Sequence, residues 1–186
     1  MTETGQDVVS DNLAARYEAR WAAAMTTIIL FLLAIVVFTG IHWASMPSSR
    51  VEVIDPTTLH LKGEFVQDNL GATMDAGGHV TVHLLAEQYA FRPGCLVLPE
   101  DVPVTFRATS SDAVHGILIT GTNINVMLVP GYVATFIATL HGVGEHSMPC
   151  QEFCGVGHAS MWARVRVVPK AVFDNLARAN RKPGCV

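Results

Sequence analysis

Charged side chains are scarce in this 186-residue chain: only 15% of it is Asp, Glu, Lys or Arg, while 50% is hydrophobic. A disordered chain would be polar and highly charged, so that class is excluded. A basic surplus is missing too, with 12 Lys and Arg against 16 Asp and Glu. Nucleic-acid binding needs a basic surface and is excluded on that ground. There are only four cysteines, too few for a small fold stapled by disulfides. No internal repeat is visible, and the length suits about one domain. The most informative absence is local: no Asp, Glu, Lys or Arg occurs between Arg20 and Arg50.

That uncharged window holds the apolar run Ala22 to Ala44, AAAMTTIILFLLAIVVFTGIHWA. As a helix it spans about 34 Å, enough to cross a hydrocarbon core of about 30 Å. Trp21 and Trp43 bracket it, where amphipathic indoles favour the membrane interface. A cleaved signal peptide would want a basic start and a shorter apolar core. Residues 1–19 instead carry Glu3, Asp7, Asp11 and Glu18 against Arg16 alone. The reading is therefore an N-terminal tail over 1–20 and a retained transmembrane helix over 21–44. Arg16 and Arg20 on one side and Arg50 on the other give a weak positive-inside signal. The short amino tail favours a cytoplasmic N-terminus, with the larger part of the chain in an oxidising space outside.

Residues 45–77, with MPSS, DPTT, GAT and DAGG, read as a connector in which VEVI at 51–54 is a short strand or a packed turn. Strand signals then follow closely. Val80, Val82 and Leu84 alternate with their neighbours, as do Val102, Val104, Phe106 and Ala108, and as do Arg164 and Arg166 with Val165 and Val167. Tyr132 to Leu140 is β-branched and aromatic. Turn residues such as Pro93-Gly94 and Pro130-Gly131 punctuate these runs, so the spacing predicts one small antiparallel sandwich or barrel over 78–169. The tail over 170–186 is predicted to hold a short helix with Val172, Phe173, Leu176 and Ala179 on one face. Residues 45–169 carry eleven acidic and six basic side chains. That balance suits either a basic protein partner or ordinary solubility.

The chemistry is concentrated in Pro149 to Met161, P-C-Q-E-F-C-G-V-G-H-A-S-M. Cys150, Cys154, His158 and Met161 are soft or borderline ligands, and thiolate with imidazole and thioether is a set that favours copper over zinc. Pro149, Gly155 and Gly157 indicate a tight loop between two strands. His115 in SDAVHGILITG is the candidate second imidazole. A mononuclear blue-copper site needs two His, one Cys and a weak Met; the second Cys here points to two thiolates bridging two copper ions. A plain disulfide between Cys150 and Cys154 is the competing reading, which the offsets of His158 and Met161 disfavour. Tyr89, Phe91, Phe153 and Trp162 would supply an apolar shell around such a site, or else pack ordinarily in the core. His79 and His83 share a strand face about 13 Å apart, too far to chelate one ion. His42 lies at the membrane edge, and His60, His141 and His146 fall in turns or loops. All six are read as structural or solvated.

The loop C-Q-E-F-C-G-V-G-H-A-S-M, with S-D-A-V-H-G and G-T-N-I-N-V-M-L-V-P-G upstream, resembles subunit II of the haem–copper cytochrome c oxidases. The single anchoring helix and D-P-T-T at 55–58 look like the B-type branch. The resemblance implies a mainly β, cupredoxin-like Greek-key sandwich anchored by one N-terminal transmembrane helix and holding a dinuclear copper centre, Cu-A. Cys150 and Cys154 would bridge, His115 and His158 would be terminal ligands, and Met161 would be a weak ligand. Glu152 would bind through its backbone carbonyl. A side-chain Glu at that position helps hold magnesium at the subunit I boundary in A-type relatives, which keeps a magnesium role for Glu152 open. Tyr89 and Phe91 fall where relatives carry an aromatic cluster at the electron-receiving face, and Glu87 departs from that pattern.

The implied role is electron acceptance from cytochrome c or a small copper protein. Electrons would pass to haem in subunit I, where dioxygen is reduced. The implied location is the inner membrane, single-pass, with a cytoplasmic N-terminus and a periplasmic copper domain in contact with lipid. Copper domains of nitric or nitrous oxide reductases share the loop and are an alternative. A membrane-tethered copper chaperone or thiol oxidoreductase would not need His158 and Met161. A quinol oxidase subunit lacks these ligands. Cys95 and Cys185 lie outside the metal pattern, and the oxidising compartment suggests a disulfide between them that ties the tail to the sandwich.

Overall fold

The computed structural model describes residues 5–42, 52–179 and 185, which fall into two units, 1–49 and 50–186. The first unit is helix α1, Gly5–His42. It begins inside the stretch read as an N-terminal tail, because no proline interrupts it and good helix formers such as Ala14, Ala15 and Arg16 extend the apolar run backwards. Asn12–His42 is long and apolar enough to cross a membrane. Its large side chains, from Ile28 through Phe31 and Leu33 to Phe38, are exposed on every side, as in a helix that meets lipid or other protein all round. Two of its threonines bond within the helix: Thr27 Oγ1 donates to Ala23 O at 2.8 Å, and Thr39 Oγ1 to Val36 O at 3.1 Å. This is the arrangement that an apolar surround demands. Trp43 and Ala44, the end of the expected span, lie outside the described residues, as does Arg50.

The second unit is strand-rich: β1 Glu52–Val53, β2 Gly71–Met74, β3 Val80–Glu87, β4 Ala90–Arg92, β5 Cys95–Pro99, β6 Pro103–Ser110, β7 His115–Leu118, β8 Asn125–Leu128, β9 Tyr132–Thr139, β10 Gly144–Pro149 and β11 Trp162–Val168, then helix α2, Lys170–Arg178. One sheet runs β1-β9-β6-β3-β2 with β4 also on β3; a second runs β10-β11-β5; β7 and β8 form a ribbon. Period-2 patterning does what the sequence promised. Val80, Val82, Leu84 and Ala86 of β3, Val104, Phe106 and Ala108 of β6, and Ala163, Val165 and Val167 of β11 all point into one core. Phe106 stacks on Phe136 across β6 and β9, with ring centroids 4.8 Å apart.

Two results differ from the antiparallel expectation: β3 pairs with β6, and β5 with β11, in parallel. Alternation is the same in both kinds of pair, so periodicity could not tell them apart. The β4–β5 excursion between β3 and β6 supplies the long crossover that parallel pairing needs.

The segment read as a connector is also more than a linker. It contributes β1 and β2, and Leu59, Phe65 and Leu70 pack on Leu85 and Val133 as a second apolar cluster. An ion cluster joins it to the sheet there. Arg107 Nε donates to Glu64 Oε2 at 2.5 Å, and its Nη2 donates to Glu64 Oε1 and Glu52 Oε1, each at 2.6 Å. In α2, Phe173 is fully buried, with Leu176 and Ala177 against the core. Val172, expected on the buried face, is exposed. Cys95 and Cys185 form a disulfide with Cα atoms 5.7 Å apart, as the sequence reading suggested.

Candidate metal centre

Strands β10 and β11 pair up to Pro149 and Trp162, so the chain leaves the sheet and returns at adjacent positions. The Cys150 N–H donates to Met161 O at 3.0 Å and closes the neck of the loop. Inside it, Gly155 has φ of +129°, a conformation open to glycine, which turns the chain after Cys154. A 3-10 turn over His158–Ser160 follows. Strand β7 lies against the loop: Ile117 bridges to Cys150, and the Gln151 N–H donates to Gly116 O at 3.1 Å. A Cβ at 116 would fall 2.7 Å from the Gln151 side chain, which would have to move to admit it.

The structure brings all six sequence-predicted residues together. Cys150 Sγ and Cys154 Sγ are 3.9 Å apart. His115 Nδ1 lies 3.7 Å from Cys150 Sγ, and His158 Nδ1 lies 3.7 Å from Cys154 Sγ. Met161 Sδ is 3.8 Å from Cys154 Sγ, and Glu152 O is 3.2 Å from Cys150 Sγ. Ligand atoms of His115, Cys150 and Cys154 all fall within 4.8 Å of one another, and those three residues are buried. Each sulfur thus has one imidazole, with the thioether at one end and the carbonyl at the other.

Both thiols are free. A disulfide needs sulfurs about 2.05 Å apart, so the pair is not one. An ion at a metal–sulfur distance of roughly 2.3 Å reaches both sulfurs from between them. Burial, and then the neighbouring Cys150, push the Cys154 thiol up to about 11. Two thiolates side by side in this pocket therefore call for cationic compensation, which soft metal ions supply.

Asp112 orients the site. Its Oδ1 accepts from His115 Nε2 at 2.9 Å, which leaves Nδ1 turned toward Cys150. Partial burial pushes the Asp112 carboxyl up. Hydrogen bonds from His115 and from the N–H groups of Gln88 and Ala113 outweigh this and hold it below the usual carboxylate range. Asp112 was missed in the sequence, although a carboxylate three residues before a candidate ligand is a usable signal. The expected apolar shell is half right. Phe91 is buried, and Tyr89 packs against the core and the loop glycines. Phe153 and Trp162 are 74% and 57% exposed, because the loop turns its cysteines and Met161 inward and these two rings outward.

The other histidines bond elsewhere. His79 pairs with Asp75, His83 with Glu64, and His141 with Asp101. His146 and His42 bond the carbonyls of Thr120 and Phe38, and His60 is exposed. His146 sits within β10 rather than in a loop.

Known proteins share this arrangement of sequence and fold. Residues 89–168 match the family described as cytochrome c oxidase subunit II, periplasmic domain. A cytochrome c oxidase subunit 2 of Thermus thermophilus is 31% identical over 153 residues, covering 81% of this chain and 91% of its own length. This chain belongs to the cytochrome c oxidase subunit II family. A second subunit 2 from Thermus thermophilus is 32% identical over 122 residues, covering 66% of this chain and 90% of its own length. Among solved structures, a chain of a haem–copper terminal oxidase dimer is 25% identical with a TM-score of 0.53, covering 82% of this chain and 99% of that one. A subunit II is part of an oxidoreductase complex and a partner of subunit I. The architecture is mainly β, as expected, with one N-terminal helix of membrane-span length.

Proposed function

We propose that this subunit II is the electron-accepting subunit of a terminal oxidase. It would take electrons from reduced cytochrome c or a small copper protein and relay them to haem in subunit I, where dioxygen is reduced. The observation that carries this reading is the pair of free, buried thiols 3.9 Å apart, each with an imidazole nitrogen 3.7 Å away. The donor set fits a dinuclear copper centre. Cys150 and Cys154 would hold both coppers, His115 and His158 would each hold one, Met161 would be a weak ligand, and Glu152 would contribute its carbonyl. Copper bound there supplies one-electron chemistry with the charge shared over two ions and two sulfurs.

The chain's own residues hold that geometry fixed between redox states. The β10–β11 neck and the Ile117–Cys150 bridge anchor the loop, and Asp112 sets the tautomer of His115. His158, half-buried where His115, Cys150, Cys154 and Met161 are buried, is the most accessible of the side-chain ligands. The Glu152 side chain is the candidate magnesium ligand at the subunit I boundary. The Cys95–Cys185 disulfide supports an oxidising, periplasmic location for the β unit; α1 would then lie in the inner membrane, against lipid, with a cytoplasmic N-terminus. Convergence of His158 and Met161 on Cys154 favours electron transfer over a chaperone role, for which a thiol pair alone would serve.

Metal analysis with electron paramagnetic resonance on the full chain in detergent tests the proposal. Two coppers per chain, with hyperfine splitting from two equivalent nuclei, are expected. Cys150→Ser or Cys154→Ser abolishes that signal, and Met161→Leu keeps both coppers at a shifted potential. One copper with an ordinary blue spectrum overturns the dinuclear reading.

A further inference from the structure

The turn between β3 and β4, Gln88-Tyr89, reaches the copper loop from a distant part of the chain and belongs to none of the ligand motifs. Gln88 makes two hydrogen bonds there. Its side-chain Nε2 donates to Cys154 O at 2.5 Å, across 66 positions of sequence. Its backbone N–H donates to Asp112 Oδ2 at 2.6 Å, and the other oxygen of that carboxylate holds His115 Nε2 at 2.9 Å. One residue thus connects the carboxylate that orients His115, beside Cys150, with the carbonyl of Cys154. Next to it, the Tyr89 ring fills the space over Gly155 and Gly157 so closely that a Cβ at either position would fall within 2.6 Å of it.

We infer that Gln88 is a positioning residue for the metal loop: through these two bonds it fixes the Cys154–Gly155 peptide plane relative to His115. This rests on the proposed copper reading, and it adds a residue that the ligand pattern does not contain. The plane needs such a partner. Gly155 has φ of +129° and lies outside any strand ladder, so the Cys154 carbonyl takes its hydrogen bond from a side chain. The bond also has an electrostatic consequence. The positive end of an amide N–H aimed at the site favours its electron-rich form, so removing this donor shifts the reduction potential downward. Gln88 is on an exposed turn, and its replacement leaves the hydrophobic core untouched.

The test compares the full-length parent in detergent with Gln88→Met, which keeps the stem without the donor, and Gln88→Lys, which keeps a donor. The first readout is hydrogen exchange at the His158 amide, bonded to Gly155 O, in protein prepared without copper. Gln88→Met speeds it about fivefold, the effect of one neutral hydrogen bond. In copper-loaded protein the same variant loses metal to a Cu(I) chelator about fivefold faster, and its potential falls. Gln88→Lys restores loop protection without lowering the potential. Exchange, metal loss and potential in Gln88→Met equal to the parent's would overturn the inference. A parent that fails to hold two coppers defeats the copper reading instead, and the exchange measurement then decides the role of Gln88 by itself.

Discussion

Breaking the Cys95–Cys185 disulfide tests how the end of the chain is held to the sandwich. The bridge spans a sequence separation of 90 and encloses β5 to β11 together with α2. Cross-linking so long a loop removes chain entropy from the unfolded state worth about 4–5 kcal/mol, and measured losses are commonly nearer 2–4 kcal/mol. The tail has a second hold, since Phe173 is fully buried and a buried Phe side chain is worth about 1.5–3 kcal/mol. Removing the bridge should therefore weaken the fold without releasing α2. At about 2–4 °C per kcal/mol for a chain of this size, the double variant Cys95→Ser/Cys185→Ser should melt roughly 5–15 °C lower. The assay is thermal unfolding of the full chain in detergent by near-ultraviolet circular dichroism. The parent in reductant should converge on the double variant, and its intact mass should rise by two hydrogens. A variant that melts within about 1 °C of the parent would refute the entropic argument.

Three further outcomes are expected. Asp112→Asn removes the charged acceptor behind His115 and should weaken copper binding about 10–100-fold in chelator competition, with the fold intact. Gly157→Ala places a Cβ 2.5 Å from ring carbons of Tyr89, and the forced shift should cost about 1–3 kcal/mol in thermal unfolding. The Arg107 guanidinium holds the Glu64 carboxyl below its ordinary value of 4.5, with burial opposing and His83 assisting. Because the folded value is the lower one, this stabilisation is complete above the unfolded value and drains away as pH falls through the folded one. Urea midpoints measured down an acid series should thus fall more steeply for the parent than for Glu64→Gln, and parallel slopes would count against the clamp.

The ligand residues were legible in the sequence because five of the six ligand positions, Cys150, Glu152, Cys154, His158 and Met161, are local to one another, and only His115 is remote. A tight loop from Cys150 to Met161 must bring its side chains together wherever it sits. The strands at 80–87 and 103–110 were legible for a similar reason, since burial on one face imposes alternation that needs no partner to be seen, and 132–139 was legible from its β-branched and aromatic composition. Phe153 and Trp162 misled because aromatic character says nothing about which way a loop residue points. Val172 misled because its helical phase placed it one position off the buried stripe centred on Phe173.

Chain chemistry alone dictated a membrane-length helix, a strand-rich unit and a soft ligand set, since apolar length, period and donor type are properties of the residues themselves. Folding in three dimensions decided the rest. It set β3 parallel to β6, turned the apparent linker into a second apolar cluster, and put the Asp112 carboxylate behind His115. It also carried Gln88 to the carbonyl of Cys154, 66 positions away. Hydrogen bonds depend on position and angle to within fractions of an ångström, and for residues so far apart along the chain only the packing of the sheets provides that.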